Sequence, residues 1–74
     1  MKEIIPGVIV DPRIRFGKPV IKGTRVPVDL IVGKIAGGMT VTEVTKEYKL
    51  KEGDVLAALR YAARVVSEES LLYA

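Results

Sequence analysis

The segment GKPVIKGTRVPV, residues 17–28, decides how this chain is organised. Up to Pro27 the chain is interrupted by seven proline and glycine residues, a spacing that excludes any helix of useful length. After Pro27 no proline occurs in the remaining 47 residues, and the apolar period changes from about two to about 3.6. The sequence therefore predicts an extended N-terminal third followed by helices.

Two short strands are predicted at Val8–Val10 and Val20–Lys22, because both are β-branched runs bounded by turn residues. A two-stranded ribbon is marginal alone, so we expect further strands, most simply from a second copy of the chain, or a helix against it. Arg25 follows at a fixed place just ahead of the first helix. Two roles stay open for it: tying the ribbon to a helix end or to Asp29, or binding a partner or phosphate.

Three helices are predicted, at about Val28–Ala36, Val41–Lys49 and Glu52–Ser67. The second begins with a capping box, Thr40 and Glu43. The third is predicted to bury an apolar stripe with its flanking positions: Val55, Leu56, Leu59, Ala62, Ala63 and Val66. The tight connection at residues 49–51 has the spacing of a tri-helical helix-turn-helix unit. The predicted fold is mainly α with a short N-terminal β-ribbon.

Length and composition confine the chain to one domain: a ribbon over residues 1–27, a tri-helical unit over 28–67 and a tail over 68–74. The 74 residues include no Cys and no His, which removes disulfides, the usual metal ligands and the commonest general base. We therefore expect no catalysis, no metal and no cofactor. A core this small usually needs a partner, which favours a homodimer. With no apolar run long enough for a membrane span, a soluble cytoplasmic protein is expected.

Positive charge is concentrated at the N-terminus. Residues 1–27 carry six basic and two acidic side chains, whereas the rest carries six and seven. Such a patch suits phosphate backbones or acidic proteins, although a merely solubilising face is the alternative. The third helix opens with Glu52 and Asp54, which repel phosphate and make it a poor reader of the major groove. The candidate DNA contacts are Arg13, Arg15, Lys18, Lys22, Arg25 and Lys51.

The twelve residues 17–28 resemble the signature of a small prokaryotic family known as domain of unknown function 433: G-K-P, two β-branched residues, a base, G-T-R, a β-branched residue and P. The resemblance continues through Gly38–Thr40, Tyr48, Asp54–Val55, Ala58–Leu59 and Tyr61–Ala62. Lys51 and Glu52 depart from the Thr-Pro-like helix start common in that family. The resemblance implies a homeodomain-like helical unit with a β-ribbon, often dimeric, that acts as the antitoxin of a PIN-like ribonuclease toxin.

An antitoxin fits the residues, since a basic segment suits the acidic, metal-binding active site of a nuclease. Such a protein can also repress its own operon as a dimer that reads two half-sites of operator DNA. The candidate toxin contacts combine apolar and basic side chains: Arg60, Arg64, Leu71, Leu72 and Tyr73. A stand-alone DNA-binding regulator and a structural dimerisation module remain the alternatives.

Overall fold

A computed structural model describes the backbone of residues 1–71 and the side chains of residues 1–68. The N-terminal third forms three strands, β1 (Lys2–Ile5), β2 (Val8–Val10) and β3 (Val20–Ile21). Three helices follow, α1 (Val28–Ala36), α2 (Val41–Tyr48) and α3 (Glu52–Leu71). The fold is mainly helical with a short N-terminal β-ribbon, which confirms the predicted class.

The ribbon is an antiparallel sheet in the order β1-β2-β3, with Ile9 of β2 opposite Glu3 on one side and Val20 on the other. Strand β1 was not predicted; it supplies a third strand from the same chain, and α3 packs against β2 and β3. Gly7, in the turn between β1 and β2, has φ 89°, and an added Cβ would lie 3.1 Å from the Cβ of Ala57 in α3. The turn therefore needs glycine for both its conformation and its closeness to the helix.

The helix boundaries follow the capping signals in the sequence. The Thr40 hydroxyl accepts a hydrogen bond from the Glu43 N–H, and the Glu43 carboxylate accepts one from the Thr40 N–H, which lowers the pKa of Glu43. The predicted capping box is confirmed. Helix α2 ends one residue earlier than predicted because Lys49 has φ 56°. At the start of α3 the Asp54 carboxylate accepts from the Lys51 N–H, although Lys51 itself offers no capping oxygen.

The core lies where the sheet meets the three helices, and its fully buried side chains include Val8, Ile21, Ile31, Val44 and Val55. Helix α3 runs four residues further than predicted, to Leu71. At about 1.5 Å per residue its 20 residues span about 30 Å. Among the described residues, no helix has both the length and the apolar content needed to cross a bilayer.

The prediction that the whole apolar stripe of α3 is buried is wrong for three positions. Val66 is 61% exposed, and Leu56 and Ala63 are also exposed. Leu56 and Ala63 are seven residues apart and share a helix face that points away from the core. Val66 lies beyond Ala58, the last fully buried position described on α3. The helix is longer than a core of this size can cover.

Candidate protein-interaction surface

The loop between β2 and β3 is organised by one buried carboxylate. Asp11 is only 4% exposed and accepts hydrogen bonds from the backbone N–H, Nε and Nη2 of Arg13, at 2.9, 3.1 and 3.0 Å. The bonds from the Arg13 side chain have the largest effect and the bond from its backbone the next largest, and they lower the pKa of the Asp11 carboxyl to about 2. The Ile14 N–H donates to the Asp11 carbonyl at 2.9 Å. The hydrogen bonds at Asp11 thus fix the direction of the chain before the turn that follows.

That turn, Arg15–Gly17, is left-handed throughout and is called here the Phe16 turn. Its φ values are 51° at Arg15, 57° at Phe16 and 83° at Gly17. Non-glycine residues in this region are strained, and the cost is of order 1–3 kcal/mol each. The turn is closed by backbone hydrogen bonds from Gly17 to Ile14 and from Lys18 to Arg15, both 3.1 Å. The result is a Phe16 side chain that is 99% exposed.

The segment after the Phe16 turn is fixed to α1. The Lys18 ammonium donates to the Asp29 carboxylate at 2.9 Å, which lowers the pKa of Asp29. The Val28 N–H donates to the Pro19 carbonyl at 2.9 Å, so the loop is joined to the start of the helix at two points. Lys18, and not Arg25, is therefore the residue that ties the ribbon to Asp29.

Arg25 lies in a second tight turn, between β3 and α1. The Thr24 hydroxyl donates to the Ile21 carbonyl at 2.8 Å and accepts from the Val26 N–H at 3.0 Å. Ile21 and Val26 are further joined by a backbone hydrogen bond of 3.0 Å. Within the described residues the exposed Arg25 side chain has no ion-pair or hydrogen-bond partner, so the turn is rigid while its cation stays available.

An apolar groove of about 400 Å³ runs between α1 and α3. Its lining is almost wholly apolar and consists of Pro19, Val28, Asp29, Val32, Gly33, Tyr61, Ala62, Val65 and Val66. Gly33 stands in the middle of α1, where glycine costs about 1 kcal/mol relative to alanine. An added Cβ there would meet nothing within 4 Å, so packing inside the chain does not require this glycine.

The groove and the Phe16 turn belong to one continuous surface. Asp29 lines the groove and pairs with Lys18, and Lys18 lines a second hollow together with Arg15, Phe16 and Pro27. Because Pro19 follows Lys18 directly and lines the groove, the chain passes from one hollow to the other without a break. We call this combined area the turn–groove surface.

Comparison with known proteins places this architecture in a family. The model of the family described as "Protein of unknown function (DUF433)" matches residues 8–62, which include both strands β2 and β3 and most of the helical unit. The chain belongs to this family. No curated protein is significantly similar to it.

A solved structure shares the DUF433 fold of this chain: that of Rv2018 from Mycobacterium tuberculosis, with 33% sequence identity and a TM-score of 0.64. The match covers 70% of this chain but 24% of the Rv2018 chain. This DUF433 chain thus corresponds to about a quarter of the larger protein.

The DNA contacts predicted on this DUF433 chain divide into two groups. Arg13 pairs with Asp11, Lys18 with Asp29 and Lys22 with Glu3, the last at 3.4 Å. Glu3 also accepts from the Gly7 N–H, and these contacts lower its pKa. The side chains without an ion-pair partner among the described residues are Arg15, Arg25 and Lys51. The ribbon thus offers less free positive charge than its sequence indicates.

The predicted toxin contacts lie on or beyond the second half of α3. Arg60 is exposed, and Arg64 forms an i, i+4 ion pair with Glu68 at 3.3 Å. Leu72 and Tyr73 lie outside the described residues, as does the side chain of Leu71. Arg64 borders a hollow with Ile4, Ile5 and Tyr61, so the structure brings it close to β1.

Two features of the turn–groove surface were missed from the sequence. Phe16 is the one phenylalanine of the chain, and it stands between Arg15 and a glycine in a region rich in turns. That isolated aromatic residue was an available signal. The groove has no comparable signal in the sequence, because its two walls are brought together only when α3 packs on α1.

Proposed function

We propose that this chain is the antitoxin of a PIN-like ribonuclease toxin and that it binds the toxin through the turn–groove surface. The observation that carries the proposal is the apolar groove, which the described part of the chain leaves uncovered. Contiguous exposed apolar surface on a small protein marks a site for a partner. Gly33 supports this, because its cost to α1 is recovered if a partner helix approaches the groove closely.

The occupant proposed for the groove is a helix of the toxin. Helix α3 supplies Tyr61, Ala62, Val65 and Val66 to the groove. On the same helix Arg60 has no ion-pair partner among the described residues, and Arg64, one turn further on, forms only an exposed pair with Glu68. An apolar helix face with carboxylates beside it complements this combination, and an acidic nuclease is such a partner. Leu71, Leu72 and Tyr73 remain predicted contacts at the end of the same helix.

The test is co-expression of the chain with the product of the adjacent gene. We expect the two proteins to co-purify and the chain to inhibit ribonuclease activity stoichiometrically. The decisive variant is Gly33→Leu, which fills the groove, with Gly53→Leu as matched control. Gly53 is also a helical glycine whose added Cβ would meet nothing within 4 Å, but it does not line the groove.

Gly33→Leu should weaken the complex by on the order of tenfold or more, and Gly53→Leu by less than about twofold. Gly33→Ala should raise the free energy of unfolding of the free chain by up to about 1 kcal/mol. No complex with the wild-type chain contradicts the proposal. If Gly33→Leu instead converts a homodimer to a monomer in sedimentation and leaves the toxin complex intact, a second copy occupies the groove.

DNA binding is the second candidate, favoured by the basic first 27 residues and by the helix-turn-helix connection of α2 and α3. Arg15, Arg25 and Lys51 are the cations available for phosphates. The exposed Glu52 at the start of α3 disfavours insertion of that helix in the major groove. Gel shifts on operator DNA test it: binding should weaken steeply with salt, and Arg15→Ala with Arg25→Ala should reduce the salt slope.

A further inference from the structure

The Phe16 turn differs from an ordinary exposed apolar residue in its strained backbone, its fixed position and the cation beside it. Single exposed apolar side chains are common and need no explanation. Here, however, the exposed ring is held on two consecutive strained residues, and no side chain of the described residues covers it. Burial of a phenylalanine side chain is favourable, so a partner that covers the ring offsets part of the cost of the turn.

The surroundings of the turn limit its movement. Asp11 and Arg13 fix the chain before it, and the Lys18–Asp29 ion pair fixes the chain after it. Arg13 and Lys18, two cations close to the turn in sequence, are thus paired with carboxylates of the same chain. Arg15 stays unpaired next to Phe16 in the described structure, and both line one hollow of about 280 Å³ with Lys18 and Pro27. A rigid aromatic anchor beside one free guanidinium is the composition of a protein-binding hot spot.

The charge around the turn favours a protein over a nucleic acid. Strong electrostatic binding to a duplex comes from many phosphate contacts, for example about 6–10 in one protein. Within residues 11–27 only Arg15 and Arg25 lack an ion-pair partner in the described structure, since Arg13, Lys18 and Lys22 are paired with carboxylates. Two free cations are too few for a phosphate backbone but suit one or two carboxylates at the rim of an apolar pocket.

We propose that the Phe16 turn is the anchor of the toxin complex, with the ring inserted into an apolar pocket of the ribonuclease and Arg15 paired to a carboxylate at its rim. This inference rests on the proposed function and adds to the groove a second, chemically distinct contact. Because the turn is already fixed, little conformational entropy is lost on binding.

The test measures the affinity of purified full-length chain for the ribonuclease encoded by the adjacent gene, by titration calorimetry. The variants are Phe16→Ala and Arg15→Ala, with Leu56→Ala and Lys46→Ala as matched controls. Leu56 is an exposed apolar residue that lines neither hollow, and Lys46 is an exposed cation on α2. Circular dichroism verifies that each variant is folded, and Phe16→Tyr, which keeps the ring, checks that the aromatic side chain is what binds.

Phe16→Ala should weaken binding by on the order of 30-fold and Arg15→Ala by on the order of tenfold, with both controls within about twofold of wild type. Phe16→Tyr should bind nearly as well as wild type. If the wild-type chain binds but Phe16→Ala binds equally well, the anchor is wrong and the antitoxin role stands. If the wild-type chain does not bind, the proposed function fails and the anchor fails with it. Loss of RNA or DNA binding in Phe16→Ala, with unchanged toxin affinity, also overturns it.

Discussion

Two turns of the molecule hold non-glycine residues at positive φ: the α2–α3 connection and the Phe16 turn. In the connection, Lys49 has φ 56°, the next residue, Leu50, is 9% exposed, and the N–H groups of both donate to the Thr45 carbonyl. In the Phe16 turn, the same conformation leaves Phe16 99% exposed. The first turn recovers its strain by burying a leucine in the core. In the second turn no comparable burial offsets the strain among the described residues, and on the proposed function the complex with the toxin supplies it.

The largest difference between the two turns should appear in stability. Leu50→Ala should lower the free energy of unfolding by about 2–4 kcal/mol, because it leaves a cavity among the helices. Phe16→Ala should change it by less than about 0.5 kcal/mol, because the ring is in solvent. Urea denaturation at equal protein concentrations measures both. A loss for Phe16→Ala as large as that for Leu50→Ala would mean that the ring packs within the fold, and the contrast would disappear.

A smaller effect comes from the backbone alone. Lys49→Gly and Phe16→Gly each remove a side chain from a left-handed position, so each should raise the free energy of unfolding by about 0.5–1 kcal/mol. The two variants should then separate in toxin binding, which only Phe16→Gly should weaken. Thermal and urea unfolding, followed by calorimetry, give the two readouts. Equal toxin affinity for both variants would show that strain alone does not identify a binding turn.

The Phe16 turn should also differ from the α2–α3 connection in its response to acid, because the Asp11 carboxylate holds the chain before it. The Asp11 pKa of about 2 is below the unfolded value near 4, so its bonds to Arg13 stabilise the fold above about pH 4 and are lost as pH falls through 2. Asp11→Asn should flatten the fall in unfolding free energy over this interval, and Arg13→Ala should flatten it partly because the backbone donor remains. An unchanged slope in Asp11→Asn, from urea titrations at each pH, would contradict this assignment.

The helices were predictable because their signals are local. The capping box at Thr40 and Glu43, the glycines after Ala36 and the absence of proline fix the boundaries within a few residues. Strand β1 was missed because Lys2 and Glu3 give an edge strand no apolar alternation. The full burial of the α3 stripe was wrongly expected, because periodicity shows which face is apolar but not how far a neighbour covers it. Ion pairs such as Lys18–Asp29, eleven residues apart, depend on the packed fold.

The Lys18–Asp29 pair and the bonds at Asp11 have a consequence for the speed of recognition. A loop that must reorganise limits its own association, whereas one held in the bound shape can engage at the first well-oriented encounter. On the proposed function, loosening the loop by Asp29→Asn should therefore slow complex formation more than it hastens dissociation. An antitoxin needs such fast capture, because free ribonuclease acts on RNA for as long as the encounter is delayed.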